Sequence, residues 1–322
     1  MTTPPPPFDP ELAAALDLMG ITSTVQITPE NIATLRESAY GQTPSLEELS
    51  CGGAFDVEER SVPGPQGAPD VGLLIFRPTH VQGPRPVVYF MHGGGMVMGG
   101  AKVGTERALE WARELGLTVV SVEYRLAPEH PHPAPVEDCY AGLLWTVKHA
   151  AEIGGDAGRI ILAGTSAGGG LAAATALLAR DRKGPQVIGQ LLVCPMLDDR
   201  NDTPSAHQMA GRGVWDQASN EVGWSALLGE RRGTEDVPPC AAPARATDLS
   251  RLPPTFIDVG SAETFRDEDV DYATRIWCSG GQAELHVWPG GYHGFDGFAP
   301  HAALSQEARA ARLNWLRRLV GE

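Results

Sequence analysis

Cysteine is scarce in this 322-residue chain, and its spacing argues against both a disulfide framework and a metal site. There are five, at Cys51, Cys139, Cys194, Cys240 and Cys278. The number is odd, the positions are widely scattered, and no pair has the C-x-x-C spacing of zinc and redox motifs. We therefore expect no disulfide framework and no metal site, and we expect a reducing compartment.

Basic residues are also in short supply. Lysine and arginine total 25 against 40 aspartates and glutamates, and the formal net charge is -15. A surface this acidic repels phosphate backbones and anionic lipid headgroups. We therefore expect no nucleic-acid partner and no membrane partner, and the charge itself is expected mainly to favour solubility.

Long apolar runs and targeting signals are missing as well. No window approaches 18 uninterrupted apolar residues, so no membrane span is predicted. The first residues, Met1-Thr2-Thr3 followed by four prolines, contain neither a basic region nor an apolar region typical of a signal peptide. The predicted location is the cytoplasm.

The chain does contain short apolar runs that alternate with longer helical stretches. Hydrophobic residues make up 42% of it, enough for a full core. The inner runs are almost wholly apolar, which is typical of parallel strands covered by helices on both faces. An α/β fold is therefore predicted, with a mostly parallel sheet. The predicted strands are 55–62, 71–77, 87–91, 118–122, 159–163, 190–194, 255–259 and 284–288, and the predicted helices are 10–19, 28–40, 105–115, 135–151, 167–182, 216–228, 267–279 and 301–319.

Two segments fall outside this alternation. Residues 1–45 contain the first two predicted helices, and residues 201–237 contain a helix and two tryptophans but no predicted strand. We interpret both as parts of a helical cap. The catalytic domain is then expected to comprise residues 46–200 and 238–322.

The stretch Gly164-Thr165-Ser166-Ala167-Gly168 fits the pattern G-x-S-x-G. It lies directly between a predicted strand and a predicted helix, the context that a nucleophile turn requires. A turn this sharp strains the central residue and leaves no room for side chains two positions before and after it. Ser166 is therefore the predicted nucleophile, although an ordinary serine cap on a glycine-rich helix would show the same letters.

The stretch His92-Gly93-Gly94-Gly95 follows another predicted strand. Glycines let backbone N–H groups approach a developing oxyanion closely. The predicted donors are the amides of Gly94 and Gly95, completed by that of Ala167 after the nucleophile. A phosphate-binding loop is the alternative, but residues 93–100 have neither G-x-G-x-x-G nor a Walker lysine in register.

A serine nucleophile needs a base and an acid, which in this architecture follow it in the order acid, then histidine. His293 is the predicted base because it lies in a glycine-flanked loop after the last strand. His286, inside a strand, and His301, at the start of a helix, are less suited. For the acid we consider Glu263 first, since it lies in the segment after strand 255–259. The alternatives are Asp267, which is also a fitting helix cap, and Asp198, after the neighbouring strand.

Several separated motifs together resemble the hormone-sensitive-lipase-like family of α/β-hydrolase esterases, over roughly residues 50–320. They are His92-Gly93-Gly94-Gly95, the stretch from Tyr124 to His130, Gly164-Thr165-Ser166-Ala167-Gly168-Gly169, and the Gly-Tyr-His-Gly-Phe loop at 291–295. The resemblance implies an eight-stranded sheet, a cap built from N-terminal helices plus an insertion, and no cofactor. In two places the chain departs from the commonest pattern: Thr165 stands where aspartate is usual, and alignment on Arg266-Asp267 puts Glu263 where the acid is usually aspartate.

The predicted activity is that of a serine carboxylesterase acting through an acyl-enzyme. The expected partner is a small-molecule ester with a short, acetyl-type acyl group, and aryl or alkaloid acetyl esters such as heroin are candidates. Two alternatives are kept: an amidase or peptidase on the same fold, and a non-catalytic ligand receptor. The helix predicted at 301–319 and the last strand offer an edge for a homodimer, but nothing in the sequence decides this.

Overall fold

Eight strands form one sheet in the computed structural model, which describes residues 4–21, 27–40 and 44–321. The order across the sheet is β1-β2-β4-β3-β5-β6-β7-β8. The two pairs that involve β2 are antiparallel and all the other pairs are parallel. The strands are β1 (Phe55–Val62), β2 (Val71–Pro78), β3 (Arg85–Met91), β4 (Thr118–Glu123), β5 (Gly155–Thr165), β6 (Gly189–Val193), β7 (Thr255–Gly260) and β8 (Ala283–Trp288).

Helices flank this sheet and connect its parallel strands. In the described part of the chain they are α1 (Pro10–Leu18), α2 (Ile32–Tyr40), α3 (Leu46–Leu49), α4 (Thr105–Leu115), α5 (Ala134–Lys148), α6 (Ala167–Asp181), α7 (Pro204–Gln208), α8 (Gln217–Leu228), α9 (Arg266–Cys278), α10 (Phe295–Phe298) and α11 (Ala303–Val320). No helix among these residues is both long and apolar enough to cross a bilayer.

The predicted fold class is confirmed, and the composition of the inner strands explains why. In β3 every residue after Arg85 is buried, and every residue of β6 and β7 is buried. Strands covered on both faces are mostly apolar, so they appear in the sequence as nearly continuous hydrophobic runs. The polar exceptions here, Gln190 and Asp258, are buried and hydrogen-bonded. Each of the eight predicted strands corresponds to one observed strand.

The helix boundaries agree less closely with the prediction. Helix α2 begins at Ile32 rather than at residue 28. The amide of Asn31 donates to the carbonyl of Thr28, and the Asn31 side chain accepts from the amide of Thr28. Thr28 therefore starts a turn before the helix. Asp9, in contrast, caps α1 as predicted, since its carboxylate accepts from the amides of Glu11 and Leu12.

The topology determines where a site can lie. Strands β3, β5, β6, β7 and β8 are parallel, so their carboxyl ends meet at one edge of the sheet. The segments that follow these strands carry the glycine loop after β3, Ser166, Glu263 and His293. Ligands of open α/β sheets bind at this edge, where connections leave in opposite directions.

Candidate active site

Ser166 occupies a strained turn between β5 and α6. Its backbone has φ 59° and ψ -123°, a conformation that few non-glycine residues adopt. A Cβ atom on Gly164 would lie 2.2 Å from the carbonyl oxygen of Gly168, and one on Gly168 would lie 2.0 Å from that of Met91. Both flanking positions therefore exclude any side chain, which accounts for the glycines of the G-x-S-x-G pattern.

The three residues predicted as nucleophile, base and acid form one hydrogen-bonded chain. Nε2 of His293 lies 3.0 Å from Oγ of Ser166, and Nδ1 of His293 lies 2.8 Å from Oε1 of Glu263. They come from segments after three different strands and are far apart in sequence. The side chain of Glu263 is fully buried, and that of His293 is 11% exposed. This arrangement allows His293 to take the hydroxyl proton while Glu263 holds the other nitrogen.

The two alternative acids are engaged elsewhere. Asp267 accepts from the amide of Ser205 at 2.8 Å and pairs with Arg266 at 2.7 Å. Asp198 pairs with Arg200 at 2.6 Å. Of the three candidate carboxylates, Glu263 is therefore the one hydrogen-bonded to His293.

The electrostatic environment of His293 favours its protonated form. Burial by itself lowers the pKa of the imidazole, but the adjacent Glu263 carboxylate and the Cys194 side chain together outweigh that effect, and the pKa of His293 lies well above its ordinary value. A carboxylate at this position stabilises the imidazolium that forms when the histidine takes a proton.

Three backbone amides near Ser166 are available as donors. The N–H groups of Gly94, Gly95 and Ala167 have no hydrogen-bond acceptor in residues 4–21, 27–40 and 44–321. Gly94 has φ +118°, and a Cβ atom there would lie 2.1 Å from the carbonyl oxygen of Met98. The loop therefore requires glycine and leaves its amides unpaired beside the nucleophile, the arrangement that stabilises an oxyanion.

His92 contacts the backbone of this loop and holds it in place through its ring. Its ring is fully buried and stacks on Tyr124 with centroids 4.1 Å apart. Nδ1 lies 2.8 Å from the carbonyl oxygen of Gly93, and the hydroxyl of Tyr124 donates to the His92 carbonyl. Burial lowers the pKa of His92 to about 4, so the ring is neutral at pH 7.

A pocket of about 400 Å³ opens onto Ser166 and His293. Its walls are mostly apolar and come from three parts of the chain. The lining side chains include Ile21, Ile27 and Leu35 from the N-terminal segment, Val214 and Trp215 from the segment before α8, and Phe90, Met98 and Phe298 from the body.

Of the apolar side chains in α1 and in residues 201–237, only some line this pocket. Trp215 lines it and lies over Gly95, whereas Trp224 is fully buried and not part of the wall. Leu12 and Leu16 pack against Tyr292 and Phe295 instead. Their apolar character is evident from the sequence, but it gives no information on whether they face a ligand or the core.

Two features beside the site were missed by sequence reasoning. Cys194 follows β6 directly, and its thiol lies within 4.8 Å of donor atoms of Glu263 and His293. Behind the His293 loop, Arg312 bridges Asp258 and Asp296 in a fully buried ion cluster. These residues are far apart in the sequence and form no motif, so the sequence did not predict their contacts.

Comparison with known proteins agrees with this geometry. Residues 87–297 match a protein family described as alpha/beta hydrolase fold. Carboxylesterase NlhH of Mycobacterium tuberculosis is 36% identical over 318 residues, which is 98% of this chain and 97% of NlhH. The solved structure of a bacterial heroin esterase superposes with a TM-score of 0.89 at 38% identity, covering 97% of this chain and 98% of that one.

A third relative matches only part of this chain, but it identifies the family. Hormone-sensitive lipase of Ictidomys tridecemlineatus is 40% identical over 124 residues, which is 38% of this chain and 16% of the lipase. With the similarity to NlhH over nearly its full length, the chain belongs to the hormone-sensitive-lipase-like family of α/β-hydrolase carboxylesterases.

Proposed function

We propose that this carboxylic ester hydrolase uses Ser166 as nucleophile, His293 as general base and Glu263 as the acid that orients it. The observation that supports this most strongly is the hydrogen-bonded chain from Glu263 through His293 to Oγ of Ser166, with contacts of 2.8 and 3.0 Å. The mechanism requires no metal and no cofactor, because the protein itself supplies nucleophile, base and oxyanion donors.

In the first half of the reaction an acyl-enzyme forms. The Ser166 hydroxyl proton passes to Nε2 of His293 while Oγ attacks the ester carbonyl carbon. The carbonyl electron pair moves onto oxygen, and the amides of Gly94, Gly95 and Ala167 bind the resulting oxyanion. When the tetrahedral intermediate collapses, the proton on His293 goes to the departing alkoxide.

In the second half, water replaces the alcohol. His293 takes a proton from water, the resulting hydroxide adds to the acyl carbon, and the same amides bind the oxyanion again. Collapse breaks the bond to Oγ, the proton returns to Ser166, and the carboxylic acid leaves. Throughout, Glu263 accepts from Nδ1 and so keeps the lone pair of Nε2 directed at the reacting oxygen.

We further propose short-acyl esters as the substrate class, with aryl and alkaloid acetyl esters such as heroin as candidates. At about 400 Å³ the pocket is near the lower end of the range for small-molecule sites, roughly 300–1,000 Å³. Its aromatic and aliphatic walls suit an apolar alcohol group beside a small acyl group. The similarity to a bacterial heroin esterase supports the same class.

The cap is part of this proposal. Residues 1–45 and 201–237 are assigned to it because Ile21, Ile27, Leu35, Val214 and Trp215 line the pocket that contains Ser166 and His293. Residues 46–200 and 238–322 then form the catalytic domain. A cytoplasmic location and a homodimer stay predictions from the sequence.

Replacing the nucleophile tests the assignment. Ser166→Ala is expected to lower kcat for p-nitrophenyl acetate by at least about 10³-fold, because the remaining groups cannot form an acyl-enzyme. Ser225→Ala is the matched control, since Ser225 is exposed on α8 and is expected to leave the rate as in the wild type. Hydrolysis by Ser166→Ala at the wild-type rate would remove the proposed mechanism.

A substrate series tests the substrate class separately from the mechanism. For p-nitrophenyl acetate, butyrate, octanoate and palmitate, kcat/KM is expected to fall beyond butyrate because the pocket is small. Phenyl acetate and its matched acetanilide separate esterase from amidase activity. A maximum at octanoate or longer would contradict the short-acyl proposal and leave the triad unaffected.

A further inference from the structure

Two members of the hydrogen-bonded chain, Glu263 and His293, form a closed group with Cys194 that has the chemistry of a zinc site. The Sγ atom of Cys194, a ring nitrogen of His293 and a carboxylate oxygen of Glu263 all lie within 4.8 Å of one another. Thiolate, imidazole and carboxylate are the three common ligands of Zn²⁺. Cys194 is held there because it directly follows β6 and its amide donates to the carbonyl of Asp258 at 2.7 Å.

Unpaired carboxylate oxygens at the same place are an independent sign of a missing partner. Within the described part of the chain, Oε2 of Glu263 and both carboxylate oxygens of Asp269 have no hydrogen-bond partner. Glu263 is 1% exposed and Asp269 is fully buried. Asp269 lies close enough to Cys194 and Glu263 for their charges to interact. Buried carboxylates that lack donors are costly unless a proton, a water molecule or a cation satisfies them.

We propose that Cys194, Glu263 and His293 form an inhibitory binding site for a thiophilic divalent cation such as Zn²⁺. Ligand atoms around tetrahedral zinc lie at about 2.0–2.3 Å from the metal. The three side chains therefore need only small movements to reach it. The ion enters from the substrate pocket past His293, because Cys194 and Glu263 are closed to solvent.

Binding would stop catalysis by changing the tautomer of His293. The cation displaces the thiol proton of Cys194, which is released, and binds the thiolate. At Nδ1 it takes the place of the ring proton, which moves to Nε2. One proton leaves in total, no electron is transferred, and the two bound anions balance the charge of the metal. With a proton on Nε2, His293 donates to Ser166 and can no longer accept its proton.

The effect on rate rests on the proposed function of His293, but binding itself does not. The experiment first removes metal from the wild-type enzyme with EDTA and then follows phenyl acetate hydrolysis during incubation with ZnCl₂. Inhibition is expected to develop slowly and to be reversed by EDTA. Cys194→Ser keeps the size of the side chain but removes the thiolate ligand, and it is expected to raise the half-inhibitory zinc concentration, relative to its own uninhibited rate, by about 10-fold or more.

Matched variants separate this site from other thiols. Cys51→Ser and Cys278→Ser remove exposed cysteines and are expected to keep the half-inhibitory concentration of the wild type. If Cys194→Ser is inhibited by the same zinc concentration as the wild type, or if either exposed variant is the one that loses inhibition, the proposed site is wrong.

Calorimetry on Ser166→Ala keeps the two proposals distinguishable. Ser166 is not a ligand, so this variant is expected to bind one Zn²⁺, and Ser166→Ala combined with Cys194→Ser is expected to lose that binding. Co²⁺ offers a second readout, since a thiolate ligand adds a near-ultraviolet charge-transfer band. Absence of zinc binding and of the cobalt band in Ser166→Ala would overturn the inferred site, whereas wild-type esterase activity in that variant would overturn the proposed function instead.

Discussion

At the scale of single residues, the site depends on which hydrogen bonds each candidate side chain makes. Glu263 and Asp267 lie four positions apart in one acidic segment, and composition does not separate them. Among the described residues, Glu263 has one hydrogen-bond partner, Nδ1 of His293, while Asp267 pairs with Arg266 and the amide of Ser205. Which of the two carboxylates reaches His293 depends on the path of the backbone after β7, and this path cannot be predicted from the sequence.

Exchanging each acid for its amide tests the distinction. Glu263→Gln is expected to lower kcat by about 10³- to 10⁴-fold, because an amide at this position favours the wrong histidine tautomer. Asp267→Asn is the control and is expected to keep most of the activity. Steady-state hydrolysis of p-nitrophenyl acetate by both variants gives the answer, and a larger loss in Asp267→Asn than in Glu263→Gln would reverse the assignment.

The pH profile follows from the raised pKa of His293. The protonated ring is favoured by Glu263, yet the neutral ring is the base, so activity is lost as pH falls through this pKa. The acidic limb of kcat/KM is therefore expected to have its midpoint above the ordinary histidine value of about 6.5. In Glu263→Gln the residual activity is expected to have its midpoint at lower pH. A limb that stays at the same pH in this variant would show that Glu263 does not set the pKa.

At the scale of secondary-structure elements, a buried ion cluster supports the loop that carries His293. Arg312 on α11 contacts Asp258 on β7 at 2.8 Å and Asp296 on α10 at 2.5 Å. Arg107 on α4 contacts Asp296 at 3.0 Å. Helix α10 begins two residues after His293, so the cluster links the loop to the sheet and to two helices. The two arginines hold the pKa of Asp296 well below its ordinary value against the opposing effect of burial.

Removing the central cation of this cluster is expected to destabilise the protein. Arg312→Met leaves Asp258 and Asp296 short of a partner in the interior, and breaking a buried ion pair typically costs about 3–5 kcal/mol. Arg318→Met is the matched control on the same helix, where an exposed pair with Glu284 contributes at most about 1 kcal/mol. Urea unfolding of both variants measures the difference, and equal losses would show that the cluster does not stabilise the fold.

At the scale of the whole molecule, the sequence predicted the structure correctly where buried positions form a pattern along the chain. Strands such as β6 are buried on both faces, so their composition alone predicted them, and the fold class followed. The glycines around Ser166 were also informative, because steric exclusion at a tight turn is local. The sequence therefore predicted the sheet, the turn and the order of the candidate residues.

What the sequence could not predict depends on contacts between distant segments. The start of α2 was wrong because the Asn31 side chain closes a turn before it. Trp215 precedes α8 and lines the pocket, whereas Trp224 lies on α8 and is buried, and this difference depends on how the segment packs against the body. The position of Cys194 beside Glu263 and His293 arises only when three strand ends meet. These features require three-dimensional packing.

Activation of one serine, Ser166, by His293 can be measured by mass spectrometry of the covalently labelled enzyme. A fluorophosphonate reacts with an activated serine and mimics the tetrahedral intermediate. We expect a single adduct per chain, located on the peptide that contains Ser166, with labelling abolished in Ser166→Ala and strongly slowed in His293→Ala. No adduct on the wild-type enzyme, or an adduct on another residue that persists in Ser166→Ala, would contradict it.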